Sequence, residues 1–108
     1  MTAQHYFLTT TSQFLRTVPP EIASEILNQT LDRIMPEGEG QDFIVFSPEA
    51  RDERIEDEGR TLILPTKAPR KCYAKLDDFG SVEALRDFSG LPALHTQYLV
   101  TVMLAEDY

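Results

Sequence analysis

The sequence lacks the features of a secreted or membrane-inserted protein. It contains one cysteine, Cys72, and therefore cannot form a disulfide within the chain. Its N-terminus, MTAQHYFLTTT, has neither a basic lead nor an apolar stretch long enough for a signal peptide. No apolar run approaches the roughly 20 residues of a membrane helix. We therefore expect a cytoplasmic protein that does not contact membranes.

Positive charge is also scarce. Ten Lys and Arg residues stand against 18 Asp and Glu residues, which gives a formal net charge of -8 and a pI of about 4.6. A surface of this sign repels phosphate backbones, so nucleic acid is not an expected partner. It suits a basic protein partner, although a high net charge also maintains solubility by itself.

Length and composition predict one α+β domain over residues 1–108. The chain is 42% hydrophobic and 26% charged, as in ordinary globular domains. Strand-like segments are HYFLTT, DFIVF, TLILP, KCYAKL and TQYLVTVMLA, and helical segments begin near Pro20 and Ser81. The order β-α-β-β-β-α-β predicts a ferredoxin-like or related two-layer sandwich of about 4–5 mainly antiparallel strands with two helices on one face.

The two predicted helices have recognisable ends. Pro20 suits the first turn of one helix, and PEGEG ends that helix at Met35. Ser81 is the expected N-cap of the other helix, and Gly90 stands where a left-handed C-cap would lie. The segment Ser12–Val18 fits either a strand extension or an early helical turn.

The last strand carries apolar side chains on both of its faces. Alternation places Leu99 and Met103 on one face, and a second set on the other. One set can pack beneath the helices, and the other needs cover by loops such as Ser12–Val18 and Leu91–Leu94, by a second copy of the chain or by another protein. The candidate residues for a sheet-face interface are Tyr98, Val100, Val102 and Leu104. If they form one, a homodimer is the commoner arrangement.

The most unusual stretch is EARDERIEDEG, Glu49 to Gly59, with eight charged residues in eleven positions. A calcium-binding loop needs oxygen ligands at alternate positions and a Gly at the sixth. A loop that starts at Asp52 has Arg54 at a ligand position and Asp57 where the Gly belongs. The interleaved arginines would also repel a divalent cation, so the stretch does not predict a metal site.

Catalysis by paired carboxylates is equally disfavoured in this stretch. It requires burial that shifts one pKa, and Ile55 is the only sizeable apolar residue available. We expect a short helical turn from Ser47, followed by a mobile, solvated segment. The remaining role is electrostatic, and the candidate partner-binding residues are Glu49, Asp52, Glu53, Glu56, Asp57 and Glu58.

Charge of opposite sign follows immediately along the chain. Residues 37–59 carry nine acids and two arginines, a net charge of -7, whereas residues 60–76 carry five bases and no acid, a net charge of +5. The basic residues surround TLILP and KCYAKL, which we interpret as a hairpin joined by TKAPRK. Either the acidic stretch folds over this hairpin or the two patches face in different directions.

Two classes of function are compatible with these features. The first is a non-catalytic interaction module, such as an inhibitor, an immunity-type protein or an assembly factor, that docks on a basic partner. The second is a dimeric ferredoxin-like domain, or a small enzyme, that holds a ligand near Tyr6, Cys72, His95 and Tyr98. Neither His5 nor His95 has a further Cys or His at metal-ligand spacing. We expect Cys72 to be a buried, inert thiol. The basic residues beside it are also compatible with the alternative, a reactive thiol of lowered pKa. The sequence predicts no catalytic residue, cofactor or metal, and it favours the first class.

Overall fold

The structure is a computed structural model that describes residues 6–36 and 38–108. These residues confirm the α+β class, with a six-stranded sheet and three α-helices. The strands are β1 (Phe7–Thr10), β2 (Phe43–Ser47), β3 (Arg54–Glu56), β4 (Thr61–Pro65), β5 (Cys72–Asp78) and β6 (Tyr98–Leu104). The helices are α1 (Ser12–Thr17), α2 (Pro20–Arg33) and α3 (Val82–Ser89).

The predictions for α2 and α3 are confirmed. Pro20 lies in the first turn of α2, where its missing N–H costs no hydrogen bond. The Ser81 hydroxyl caps α3 by accepting a backbone N–H of its first turn at 3.1 Å, and Gly90 closes the helix with a φ of 73°. Helix α2 ends at Arg33 and not at Met35, a small correction to its predicted end.

The ambiguous segment Ser12–Val18 contains helix α1. The Thr11 hydroxyl caps this helix by accepting the Phe14 N–H at 3.3 Å. The Phe14 side chain is completely buried in the same hydrophobic cluster as Ile26 of α2, whereas the next residue, Leu15, is exposed. Helices α1 and α2 therefore cover the same face of the sheet.

The strands form one mixed sheet in the order β1-β6-β5-β2-β4-β3. β1 is parallel to β6 and β2 is parallel to β4, while the other three neighbouring pairs are antiparallel. The predicted count of four or five strands is wrong, because the acidic stretch adds the edge strand β3. A sheet with two parallel pairs does not confirm the ferredoxin-like arrangement.

Strands β4 and β5 do not form the predicted hairpin. β2 lies between them, with Val45 opposite Ile63 of β4 on one side and opposite Tyr73 of β5 on the other. The connection crosses the end of β2, where the Thr66 N–H donates to the Ser47 carbonyl at 3.3 Å. A central position suits β2 because its sequence is apolar on both faces.

The main hydrophobic core lies between the sheet and helices α1 and α2. Alternate strand positions point into this core, and the most deeply buried of them are Ile44, Phe46, Leu62, Cys72, Ala74, Val100 and Val102. The intervening positions form the opposite surface, here called the open face, and in the four central strands they are Phe43, Val45, Thr61, Ile63, Tyr73, Lys75, Asp77, Leu99, Thr101 and Met103. Most of these side chains remain partly exposed.

Candidate interaction surface

The acidic stretch Glu49–Gly59 lies at one edge of the sheet. Its middle forms β3, in which Ile55 pairs with Leu62 of β4, and β3 is the last strand on this side of the described sheet. A single hydrogen-bonded turn, with the Ala50 N–H donating to the Ser47 carbonyl at 3.3 Å, replaces the predicted helical beginning. Like charges four residues apart disfavour a helix, whereas pairing with β4 gives the backbone hydrogen-bond partners.

A strained turn connects β3 to β4. Asp57, Glu58 and Gly59 have φ values of 54°, 56° and 94°, and the first two are not glycines. The left-handed conformation costs about 1 kcal/mol or more for such residues, so the surrounding contacts must maintain it. Thr61 Oγ1 donates to the Asp57 carboxylate at 2.7 Å, and Gln41 Nε2 donates to the Gly59 carbonyl at 2.9 Å. These two contacts support the left-handed conformation of the turn.

A bidentate ion pair attaches the acidic stretch to the C-terminal end of α2. Arg33 Nη1 and Nη2 donate to the two carboxylate oxygens of Glu53 at 2.8 and 2.7 Å. The hydrogen bonds from Arg33 hold the pKa of Glu53 below its ordinary value, and the same contact raises the pKa of Arg33. Glu53 thus has a positioning role, unlike the carboxylates that point to solvent around it.

We expect Arg33→Gln to raise the pKa of Glu53 toward its ordinary value. The ion pair favours the ionised carboxylate, so its stabilising effect is present above that ordinary value and is lost as the pH falls through the lowered pKa. Carboxyl ¹³C NMR titration of the wild type and the variant measures the change. Arg16→Gln is the matched control, because Arg16 lies in the last turn of α1 and outside this ion pair. An unchanged Glu53 titration in Arg33→Gln would contradict the bidentate contact.

The ion pairs of Arg70 and Lys75 do not involve the acidic stretch. Arg70 pairs with Glu106 at 3.1 Å and Lys75 with Asp77 at 3.4 Å, so these bases contact carboxylates outside residues 49–59. Arg60 reaches Asp42 at 3.4 Å. Asp57 and Arg60 line one cleft, and Glu49 lines another with Arg70 and Lys71, so the two segments meet at these places and neither layout describes the whole surface.

The six candidate partner-binding residues are all exposed. Glu53 pairs with Arg33, Glu56 pairs with Arg54 at 3.0 Å, and Asp57 is occupied by Thr61. No ion pair within residues 6–36 and 38–108 engages the carboxylates that remain, which belong to Glu49, Asp52 and Glu58. The structure therefore places five of the six residues in and beside β3, three of them with local partners, whereas Glu49 lines a cleft with Arg70 and Lys71.

The candidate sheet-face residues lie in the core. Val100 and Val102 are completely buried, Leu104 is nearly so, and Tyr98 packs against the same cluster. Their face of β6 is the one covered by α1 and α2, because Phe14 and Ile26 belong to that cluster. Assigning the interface to these four residues is therefore corrected: the face that α1 and α2 do not cover is the open face, on which Ile63 and Met103 are buried and most other side chains are partly exposed.

The four ligand-pocket candidates do not form one site. Tyr6 and Tyr98 meet edge to face with ring centroids 6.0 Å apart, and the Tyr6 hydroxyl donates to the Ile34 carbonyl at 3.1 Å. Cys72 is opposite Leu104, at the far end of the β5–β6 pair from Tyr98, a separation of about 20 Å at the usual rise per residue. His95 is exposed, and His5 lies outside the described residues.

The open face carries an aromatic cluster that sequence reasoning missed. The ring of Phe43 meets the ring of Tyr73 edge to face at 5.0 Å and stacks on Tyr108 at 6.0 Å, while Tyr73 and Tyr108 are 5.8 Å apart. We call Phe43, Tyr73 and Tyr108 the ring cluster. Strand alternation indicated that Tyr73 and Lys75 share a face, but only the tertiary structure shows that the chain turns back over it after β6.

Comparisons with models of protein families, with curated proteins and with solved structures found no significant match. In the part of the chain that the structure describes, no three His, Cys, Asp or Glu side chains are grouped as a metal site would require. No helix within the same residues has the length and apolar character needed to cross a membrane.

Proposed function

We propose that the protein is a non-catalytic interaction module that docks on a basic partner protein through the acidic edge, residues 49–59. The observation that supports this most strongly is that every residue from 51 to 60 is exposed, even though the segment is built into the sheet. Carboxylates held on a fixed backbone produce a directional field, and such fields raise association rates by about 10- to 1000-fold.

A basic partner fits this edge better than a second copy of the chain does. Two copies would each have a formal charge of -8, so their acidic edges would repel each other. β3 is also short and has charged residues at both ends, Arg54 and Glu56, which discourages edge-to-edge strand pairing. Recognition by side-chain charge, in the manner of an inhibitor, an immunity-type protein or an assembly factor, is the mode that these features favour.

Capture of the partner followed by binding kinetics tests the proposal. The tagged protein is incubated with an extract of its native cells at low and at high salt, and the retained protein is identified and purified. We expect a basic protein that is retained more strongly at low than at high salt, because salt screens exposed charges. The variant Asp52→Lys, Glu56→Lys, Glu58→Lys leaves Glu53 and Asp57 in place, and should slow association by about tenfold or more at low salt.

The matched control changes the net charge equally at other exposed positions. Glu25→Lys, Asp32→Lys, Asp87→Lys alters residues of α2 and α3 and should leave association much closer to the wild-type rate. Equal slowing by both variants would show that net charge, and not the acidic edge, governs binding. Failure to retain any basic protein would contradict the proposal itself.

A further inference from the structure

The ring cluster is accessible although its rings touch one another. Tyr108 is 70% exposed, and Phe43 and Tyr73 are partly exposed. Lys75 Nζ lies 5.4 Å from the centroid of the Tyr108 ring, a distance at which a cation and an aromatic face attract each other. The cluster therefore offers both an apolar surface and an aromatic ring that already makes a cation–π contact with Lys75.

The ring cluster is continuous with the acidic edge. Strand register places Phe43 of β2 opposite Thr61 of β4, and Thr61 opposite Glu56 of β3, so these residues form one row across the open face. A cleft of about 250 Å³ lies at the same place. Its lining residues are Asp42, Phe43, Asp57, Arg60 and Thr61.

The charge of this cleft identifies the chemistry that would fill it. Two carboxylates, those of Asp42 and Asp57, face one guanidinium, that of Arg60, whose contact with Asp42 is 3.4 Å long. The acidic residues of β3 and its following turn lie directly beside it. A Lys or Arg side chain entering next to Phe43 would therefore meet an excess of negative charge.

We propose that the ring cluster is the apolar anchor of the partner interface, and that the partner presents an aromatic or aliphatic side chain to the cluster and a Lys or Arg to the adjacent cleft. This inference rests on the proposed docking function and assigns the position of its energetic centre. Protein interfaces place aromatic residues at the centre and charged residues around them. The acidic edge then governs the rate of encounter, and the ring cluster governs the lifetime of the complex.

Selection from a peptide library tests this inference and does not require the partner itself. Random peptides displayed on phage are selected on the wild-type protein, and the enriched peptides are synthesised. We expect an aromatic or aliphatic residue close to Lys or Arg in these peptides. Tyr108→Ala, which removes a largely exposed ring, should weaken their affinity by about tenfold or more. Phe88→Ala is the matched control because Phe88 is 68% exposed on α3, and it should leave the affinity unchanged.

A second variant separates loss of the anchor from loss of the fold. Phe43→Leu retains an apolar side chain, and it should fold with a thermal transition close to that of the wild type yet weaken the same peptides. Enrichment of polybasic peptides that tolerate Tyr108→Ala but not the Asp52/Glu56/Glu58 reversal would overturn the anchor and leave the docking proposal standing. Peptides without a basic residue, or no enrichment at all, would also overturn the inference.

Discussion

Phe14→Ala is expected to lower the free energy of unfolding by about 3–5 kcal/mol, the usual cost of removing a buried phenylalanine ring. The Phe14 side chain is 0% exposed and joins α1 to the core beneath the sheet. Its removal leaves a cavity between elements that are otherwise held together mainly by apolar contacts. Since small domains are stable by only about 5–15 kcal/mol, the loss is a large share of the total.

Urea denaturation of the wild type and of two adjacent variants measures this effect. Leu15→Ala is the control, because Leu15 follows Phe14 in the same helix but is 59% exposed. It should change the stability by about 0.5 kcal/mol or less. Similar losses of stability for the two variants would show that α1 does not pack on the sheet through Phe14. That result would contradict the position of α1 in the fold.

The second large effect concerns Cys72, whose thiol should react slowly in the native protein. Burial raises its pKa from 9.0 to about 11, and its Sγ donates to the Arg70 carbonyl at 3.4 Å. Only the thiolate is nucleophilic, and a shift of about two pKa units lowers the thiolate fraction about a hundredfold. Alkylation by iodoacetamide at pH 8 is therefore expected to be about a hundredfold slower, or more, in native protein than in urea-unfolded protein.

The same pKa shift predicts how Cys72 contributes to stability at high pH. The unfolded thiol ionises at a lower pH than the folded thiol, so the unfolded chain releases its proton first. The contribution is present below pH 9 and is lost as the pH rises to about 11. The difference in unfolding free energy between the wild type and Cys72→Ala should decrease across this range. Rapid alkylation of the native protein at pH 8 would instead indicate that Cys72 is a reactive thiol, the alternative compatible with the basic residues beside it.

The elements that were predictable from sequence have strong local signals. Helix α2 has an apolar repeat and a proline at its start, and α3 has Ser81 and Gly90 as its caps. α1 was harder to predict because its six residues are too few for a clear period. β3 was missed because all three of its residues are exposed, so no apolar alternation marks it as a strand. It depends on pairing with β4, a tertiary contact that local sequence does not encode.

The candidate interaction surface was likewise predictable from the sequence only in part. The acidic residues are adjacent in sequence, so their clustering was predictable, and the structure adds the ion pair from Arg33 and the turn at Asp57. The ring cluster was not predictable, because Phe43 and Tyr73 are 30 positions apart and are brought together by the pairing of β2 with β5. The β6 residues expected at an interface lie in the core instead, because alternation separates two faces without showing which one the helices cover.

Amide hydrogen exchange of the protein, with and without its purified basic partner, tests the proposed docking surface most directly. We expect slower exchange in the bound state across residues 51–60 and around Phe43 in β2, because these amides lie on the acidic edge and beside the ring cluster. Exchange in α2, whose core-facing side packs beneath the opposite face of the sheet, should be unchanged. Protection confined to α2, with residues 51–60 exchanging at the same rate in both states, would contradict docking through the acidic edge.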